Sequence, residues 1–140
     1  MRLTISPAVR KRLKKTRVAR LATTNLKGQP HVVPICYVFD GALFYTAIDR
    51  KPKRTAEPAR VRYLRRRPEA ALTVDRYDDD WSKLAWVQVL GHVELLDPAK
   101  DEAGMEALAA KYAPYRDDPP PGPLLRLVPE RALHWRAEKI

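Results

Sequence analysis

Lys51, Lys53 and Arg54 are crowded into a Lys-Pro-Lys-Arg run just beyond an apolar stretch ending at Ile48, with only Asp49 and Arg50 between. Cations placed this closely can converge on one anionic group through short, charge-assisted hydrogen bonds. Arginine meets a phosphate as a fork, whereas lysine acts as a point charge. The other groups with chemical potential are scattered. His31, His92 and His134 lie far apart in the chain. No HExxH, no paired Cys/His spacing and no Asp-rich calcium loop occurs, so no metal site is expected. Cys36 is the single cysteine. It excludes an internal disulfide and fits a reducing compartment. Set in an apolar run, it reads as a small buried hydrophobe rather than a nucleophile. Neither a G-x-S-x-G elbow, a G-x-G-x-x-G turn nor a Walker A loop is present. Asp78-Asp79-Asp80 reads as an exposed polar connection. No acid–base pair stands out, and catalytic residues are left unassigned.

The elements that must position these groups follow from periodicity and turn chemistry. Val18 to Thr24 reads as a first strand, and Asn25-Leu26-Lys27-Gly28 reverses it. His31 to Phe39 is rich in β-branched and aromatic residues and reads as one strand. Asp40-Gly41 signals a type I′ hairpin turn, with positive φ at both central positions. Leu43 to Ile48 returns, which gives a three-stranded meander ending in the basic loop. Pro34 has no N–H to donate, so its strand should be an edge or carry a bulge. Ser6-Pro7 starts a short amphipathic helix with Val9 and Leu13 on one face and Arg10, Lys11, Arg12, Lys14 and Lys15 elsewhere. Pro58 opens a second helix that carries Val61 and Leu64 and stops before Pro68. Glu69 to Tyr77 and a long strand within Ser82 to Leu96 follow, with Gly91 marking a bulge or barrel corner. Asp97 caps a helix over residues 98–111, which Pro114 terminates. Leu124 to Trp135 closes the fold, with an interruption at Pro129-Glu130. The expected class is mainly β with small helices: a six-stranded antiparallel split β-barrel in which curling removes exposed edges.

The 140 residues suit a single domain, and 45% hydrophobic content is ordinary for a globular chain. The formal net charge of +10 is unevenly distributed. Residues 1–39 hold nine Arg or Lys and no acid, and residues 50–67 hold nine more against Glu57 alone. Such a field attracts polyanions. One reading is therefore a basic nucleic-acid-binding module using the first helix and Arg60 to Arg67, though no known DNA or RNA motif accompanies it. No apolar run reaches the length of a membrane span, and no secretory leader is evident, so a cytoplasmic location is expected and a membrane is not.

Several stretches, taken in order, carry a family resemblance. They are Val18-Ala-Arg-Leu-Ala-Thr-Thr24, Gly28-Gln-Pro-His-Val-Val-Pro34, Leu43-Phe-Tyr-Thr-Ala-Ile-Asp49, Lys51-Pro-Lys-Arg54, Val74-Asp-Arg-Tyr-Asp-Asp-Asp-Trp-Ser-Lys-Leu-Ala-Trp86 and Gly91-His-Val-Glu-Leu-Leu96. With these, the chain from about residue 5 to 136 resembles the pyridoxamine-phosphate-oxidase-like split-barrel flavoproteins. Within them it is similar to the actinobacterial branch of deazaflavin (coenzyme F420)-dependent oxidoreductases. The resemblance implies a homodimer with two cofactor sites between subunits, coenzyme F420 or alternatively FMN as cofactor, and hydride transfer involving a small conjugated substrate. It implies that Val32, Val33, Pro34, Ile35 and Cys36 flank the ring and that Thr46 lines the phosphate end. Lys51, Lys53 and Arg54 would hold the phosphate-bearing tail. Trp135 would approach the cofactor across the dimer interface, with Trp81 and Trp86 at the pocket mouth, at that interface or in the core. In such enzymes the cofactor carries the hydride chemistry and the protein positions it.

Overall fold

The computed structural model describes residues 5–48 and 57–137. The chain runs through α1 (Pro7–Lys15), β1 (Val18–Thr24), β2 (Pro30–Cys36), β3 (Val38–Phe39), β4 (Phe44–Ala47), α2 (Ala59–Arg66), β5 (Glu69–Arg76), β6 (Ala85–Leu96), α3 (Glu102–Lys111), α4 (Ala113–Asp117) and β7 (Leu124–Arg136). The strands form one sheet in the order β2-β1-β5-β6-β7-β4-β3, antiparallel at every pairing. Its first and last members, β2 and β3, are consecutive in the chain and separated only by Tyr37. The sheet therefore curls until its two ends meet at one residue, which makes a split barrel of the expected class.

The His31–Phe39 run is the main difference in detail. It is divided at Tyr37, so the strands number seven rather than six, and the meander is replaced by two hairpins at opposite ends of the sheet. The division is held by a residue remote in sequence. The Tyr112 hydroxyl accepts from the Tyr37 backbone N–H at 3.0 Å. It also lies within donating reach of the Tyr37 carbonyl at 2.7 Å and of the Arg17 carbonyl at 2.5 Å. A buried backbone that leaves its ladder needs such partners.

The turns follow side-chain chemistry. Asn25 Oδ1 accepts from the N–H groups of Lys27 and Gln29, both at 2.9 Å, and fixes the β1–β2 reversal. In the β3–β4 turn only Gly41 has positive φ, at +108°. Asp40 does not, so the turn is not type I′. The Asp40 N–H donates to the Leu43 carbonyl, and Asp40 Oδ1 accepts from Ala42 and Leu43. The central pair is thus Gly41-Ala42, and the glycine alone takes the positive φ.

Two clusters fill the protein. The barrel interior holds Leu13, Leu21, Tyr37, Phe44, Val61, Leu64, Leu72, Val74, Val87 and Val89. Phe39 and Phe44 stack there with centroids 4.4 Å apart. A second cluster of Tyr45, Ala47, Leu108, Tyr112 and Leu124 lies under α3. The single helix expected over 98–111 is split: Asp97 caps a short 3-10 turn over 98–100, and Asp101 caps α3 by accepting from the Gly104 N–H at 2.9 Å. Pro114 lies inside α4 and does not terminate α3. The break in the long hairpin is as expected. Leu90 pairs with Arg131 but Gly91 with Pro129, so Glu130 is the extra residue of a bulge. A Cβ on Gly91 would lie 2.1 Å from the Val128 carbonyl oxygen, so this crossing admits only glycine.

Candidate functional site

The seam where the sheet ends meet assembles several of the residues singled out in the sequence. β2 is an edge strand, paired only with β1, and Pro34 sits on it as an N–H-less residue should. Its pattern is nearly all outward: His31, Val32, Pro34 and Cys36 are exposed, and Val32 retains 62% of its surface. The exceptions are Val33, half-buried and packed against the core, and Ile35, buried in the barrel, so that Ile35 offers only its backbone on the open side. Cys36 is exposed, not buried. Strand alternation explains the correction: Ile35 and Tyr37 on either side turn inward and force Cys36 out. Thr46 is buried on β4, and its hydroxyl donates to the Cys36 carbonyl at 2.7 Å, tying the two sheet ends together. Lys51, Lys53 and Arg54 come four to seven positions after the end of β4 and lie outside the described residues.

Behind the seam sits a cluster that sequence reading missed. Lys111, at the end of α3, donates to the Thr16 carbonyl at 2.5 Å and stands 4.3 Å from the Tyr37 ring centroid. Burial, followed by the nearby Arg17 guanidinium, pulls its ammonium down to about 8. Burial also pushes the Tyr112 phenol up to about 12 and raises Tyr37, whose hydroxyl donates to the Leu13 carbonyl at 2.5 Å. Both tyrosines therefore stay neutral and act as hydrogen-bonding posts. The Tyr112–Tyr37 contact spans 75 positions, and no local pattern announces it.

A polar network fixes β4 from its other face. Arg126 donates to Glu94 at 3.0 Å and to Asp101 at 2.9 Å, and the Tyr45 hydroxyl donates to the same Asp101 oxygen at 2.9 Å. Burial, then this hydrogen bond to Asp101, raises the Tyr45 phenol to about 12.

Trp135 stands apart. Thr46 pairs with Leu125, whereas Trp135 lies ten positions further along β7, opposite Trp86. At about 3.3 Å per strand residue they lie up to roughly 30 Å apart along the strand. Trp135, Trp86 and Trp81 are all exposed, at 46%, 38% and 67%, so none is core packing. The three histidines stay on three strands, and no group of potential metal ligands occurs among the described residues. Nor is any helix among them long and apolar enough to cross a membrane.

The profile of the pyridoxamine 5′-phosphate oxidase family matches residues 5–136, nearly the whole chain. The chain belongs to this family. Solved structures agree on the fold. A conserved hypothetical protein of Mycobacterium tuberculosis superimposes with a TM-score of 0.75 at 21% identity, covering 96% of this chain and 87% of that one. An FAD-binding protein of Mesorhizobium loti gives 0.68 at 25% identity, covering 93% and 94%. A protein described as an F420 reductase gives 0.67 at 19% identity, covering 92% and 98%. No curated protein matches. Family membership supports an enzymatic, cofactor-binding role of the oxidoreductase type.

Proposed function

We propose that the protein is a cytoplasmic homodimeric oxidoreductase that uses coenzyme F420, with FMN as the alternative, to transfer a hydride to or from a small conjugated substrate. The observation that carries this reading is the open face of β2, an edge strand with small exposed side chains beside the Thr46–Cys36 tie. An edge strand has backbone donors and acceptors turned away from its one neighbour. Such a row fits the polar rim of a flavin or deazaflavin ring, and Val32 and Pro34 supply apolar contact. Lys51, Lys53 and Arg54, a few positions after β4, would hold the phosphate. When bound, the cofactor supplies the hydride chemistry. The chain's part is to orient the ring along residues 32–36, exclude water with apolar strand surface and keep the seam rigid through Tyr37, Tyr112 and Thr46.

The separation of up to roughly 30 Å between Thr46 and Trp135 supports the dimer. Within a protomer the two lie at different ends of the β7 ladder. In an isologous pair, Trp135 of one protomer approaches the cofactor held by the other, which generates two equal sites. Sedimentation at micromolar concentration tests this and should give a dimer. A monomer that still binds cofactor tightly would remove Trp135 from the site.

A further inference from the structure

A cleft of about 550 Å³ opens between α1 and the projecting end of the β5-β6-β7 sheet. That size is ordinary for a small-molecule site. Register fixes its floor. Arg76, Ala85 and Arg136 are paired in one row, so they share a face, and Val74, Val87 and His134 form the next row on that same face. Val74 and Val87 are buried, which identifies this as the concave side of the sheet. Neighbouring strands lie about 4.8 Å apart, so the two arginines stand roughly 10 Å apart at their Cα atoms. The small side chain of Ala85 leaves a gap between them. Arg12 on α1, and Ser82 and Lys83 in the turn before β6, also line the cleft. Ala8, Val9 and Leu84 add apolar wall.

Among the described residues, the cleft thus collects four cations and a histidine, and its lining contains no carboxylate. Asp78 stands 3.8 Å from Arg76. Among the described residues, the side chains of Arg12, Lys83, His134 and Arg136 have neither a hydrogen-bond nor an ion-pair partner. Clustered like charges raise one another's cost unless an anion enters, and arginine pairs spaced across a small floor suit a forked oxyanion. Trp86 and Trp135 also border the cleft, although their side chains have the opposite strand parity to Ala85 and Arg136.

We propose that this cleft is a second binding site, for a small organic anion carrying a phosphate or carboxylate group on an apolar body. The anionic end lies between Arg76 and Arg136, beside His134, and the apolar body rests against Val9 and Leu84.

The three histidines make the test selective, because His31 and His92 report from other strands. The full-length apo protein, labelled with 15N in its histidine rings, is titrated with phenyl phosphate and, separately, with benzoate. Saturable shifts of the His134 resonances, with His31 and His92 unmoved, are expected. The tighter of the two probes identifies phosphate or carboxylate as the preferred group. The Arg76→Gln/Arg136→Gln pair should weaken binding tenfold or more, and Lys14→Gln, on the outer side of α1, less than twofold. Both arginines are exposed, and either single substitution carries the same test if the pair is unstable. Coenzyme F420 affinity of the double variant should match that of the parent. Absent saturation, equal movement of all three histidines, or undiminished binding by the double variant would overturn the proposal. So would a parallel loss of F420 affinity, which would merge the cleft with the cofactor site. If a single-stranded oligothymidylate moves His134 at lower concentration than phenyl phosphate does, the surface is a nucleic-acid track and the small-anion assignment falls.

Discussion

Replacing Tyr112 with phenylalanine removes one oxygen atom and should loosen the whole seam. Tyr37 is fully buried, and its backbone N–H has left the ladder to donate to that oxygen at 3.0 Å. The carbonyls of Tyr37 and Arg17, at 2.7 and 2.5 Å, share its single proton. A buried donor left without a partner costs about 1–3 kcal/mol, and a carbonyl that keeps partial access to other donors costs less. The expected loss for Tyr112→Phe is therefore about 2–4 kcal/mol. For a domain of this size each kcal/mol moves Tm by roughly 3–4 °C, so a fall of roughly 10 °C is expected. Because the phenol is pushed up to about 12, the loss should be constant across neutral pH. Urea unfolding with a shared slope measures the free energy, and amide exchange at Tyr37 localises it. A loss below about 0.5 kcal/mol, with Tyr37 exchange unchanged, would show that the hydroxyl does not hold the strand break.

Three further outcomes follow from particular residues. Gly41→Val should lower stability by about 1–3 kcal/mol, because a β-branched residue resists a φ of +108°; an unchanged melting temperature would contradict the turn geometry. Lys111 has a folded pKa of about 8 against an ordinary 10.5, so between those values the unfolded chain binds more protons. Its contribution to stability must then rise with pH across that window and be absent from the Lys111→Met variant; superimposable pH profiles for the two proteins would refute the burial argument. Lys53→Ala should weaken cofactor binding by about tenfold or more, since a hydrogen bond to a charged group is worth about 1.5–3 kcal/mol. Lys11→Ala, a screened surface change, should matter far less, and equal small losses would withdraw the basic loop from the site.

Local chemistry made much of the fold legible. Ser6 caps α1, Asn25 turns β1 into β2, and Gly91 sits at the bulge, each because one residue type meets one backbone requirement. The division at Tyr37 was not legible. Residues 31–39 have uniform strand propensity, and the group that breaks them apart is a hydroxyl from the end of α3. For the same reason Cys36 was misplaced: its apolar neighbours suggest burial, but alternation between two inward residues sends it outward. A continuous helix over 98–111 follows from Asp97 alone as its cap; in the structure Asp101 is a second cap, and each aspartate starts its own turn. Of the candidate site, the edge character of β2 was readable from Pro34. The distance between Thr46 and Trp135 was not, since it depends on how β4 registers against β7.

The central claim is that the β2 edge and the basic loop hold a deazaflavin or flavin, and fluorescence titration of the apo protein with coenzyme F420 and FMN, run separately, tests it most directly. Nanomolar to low-micromolar affinity for coenzyme F420, with much weaker binding of FMN, is the predicted result. The reverse order would transfer the assignment to FMN, and binding of neither would contradict the redox role itself.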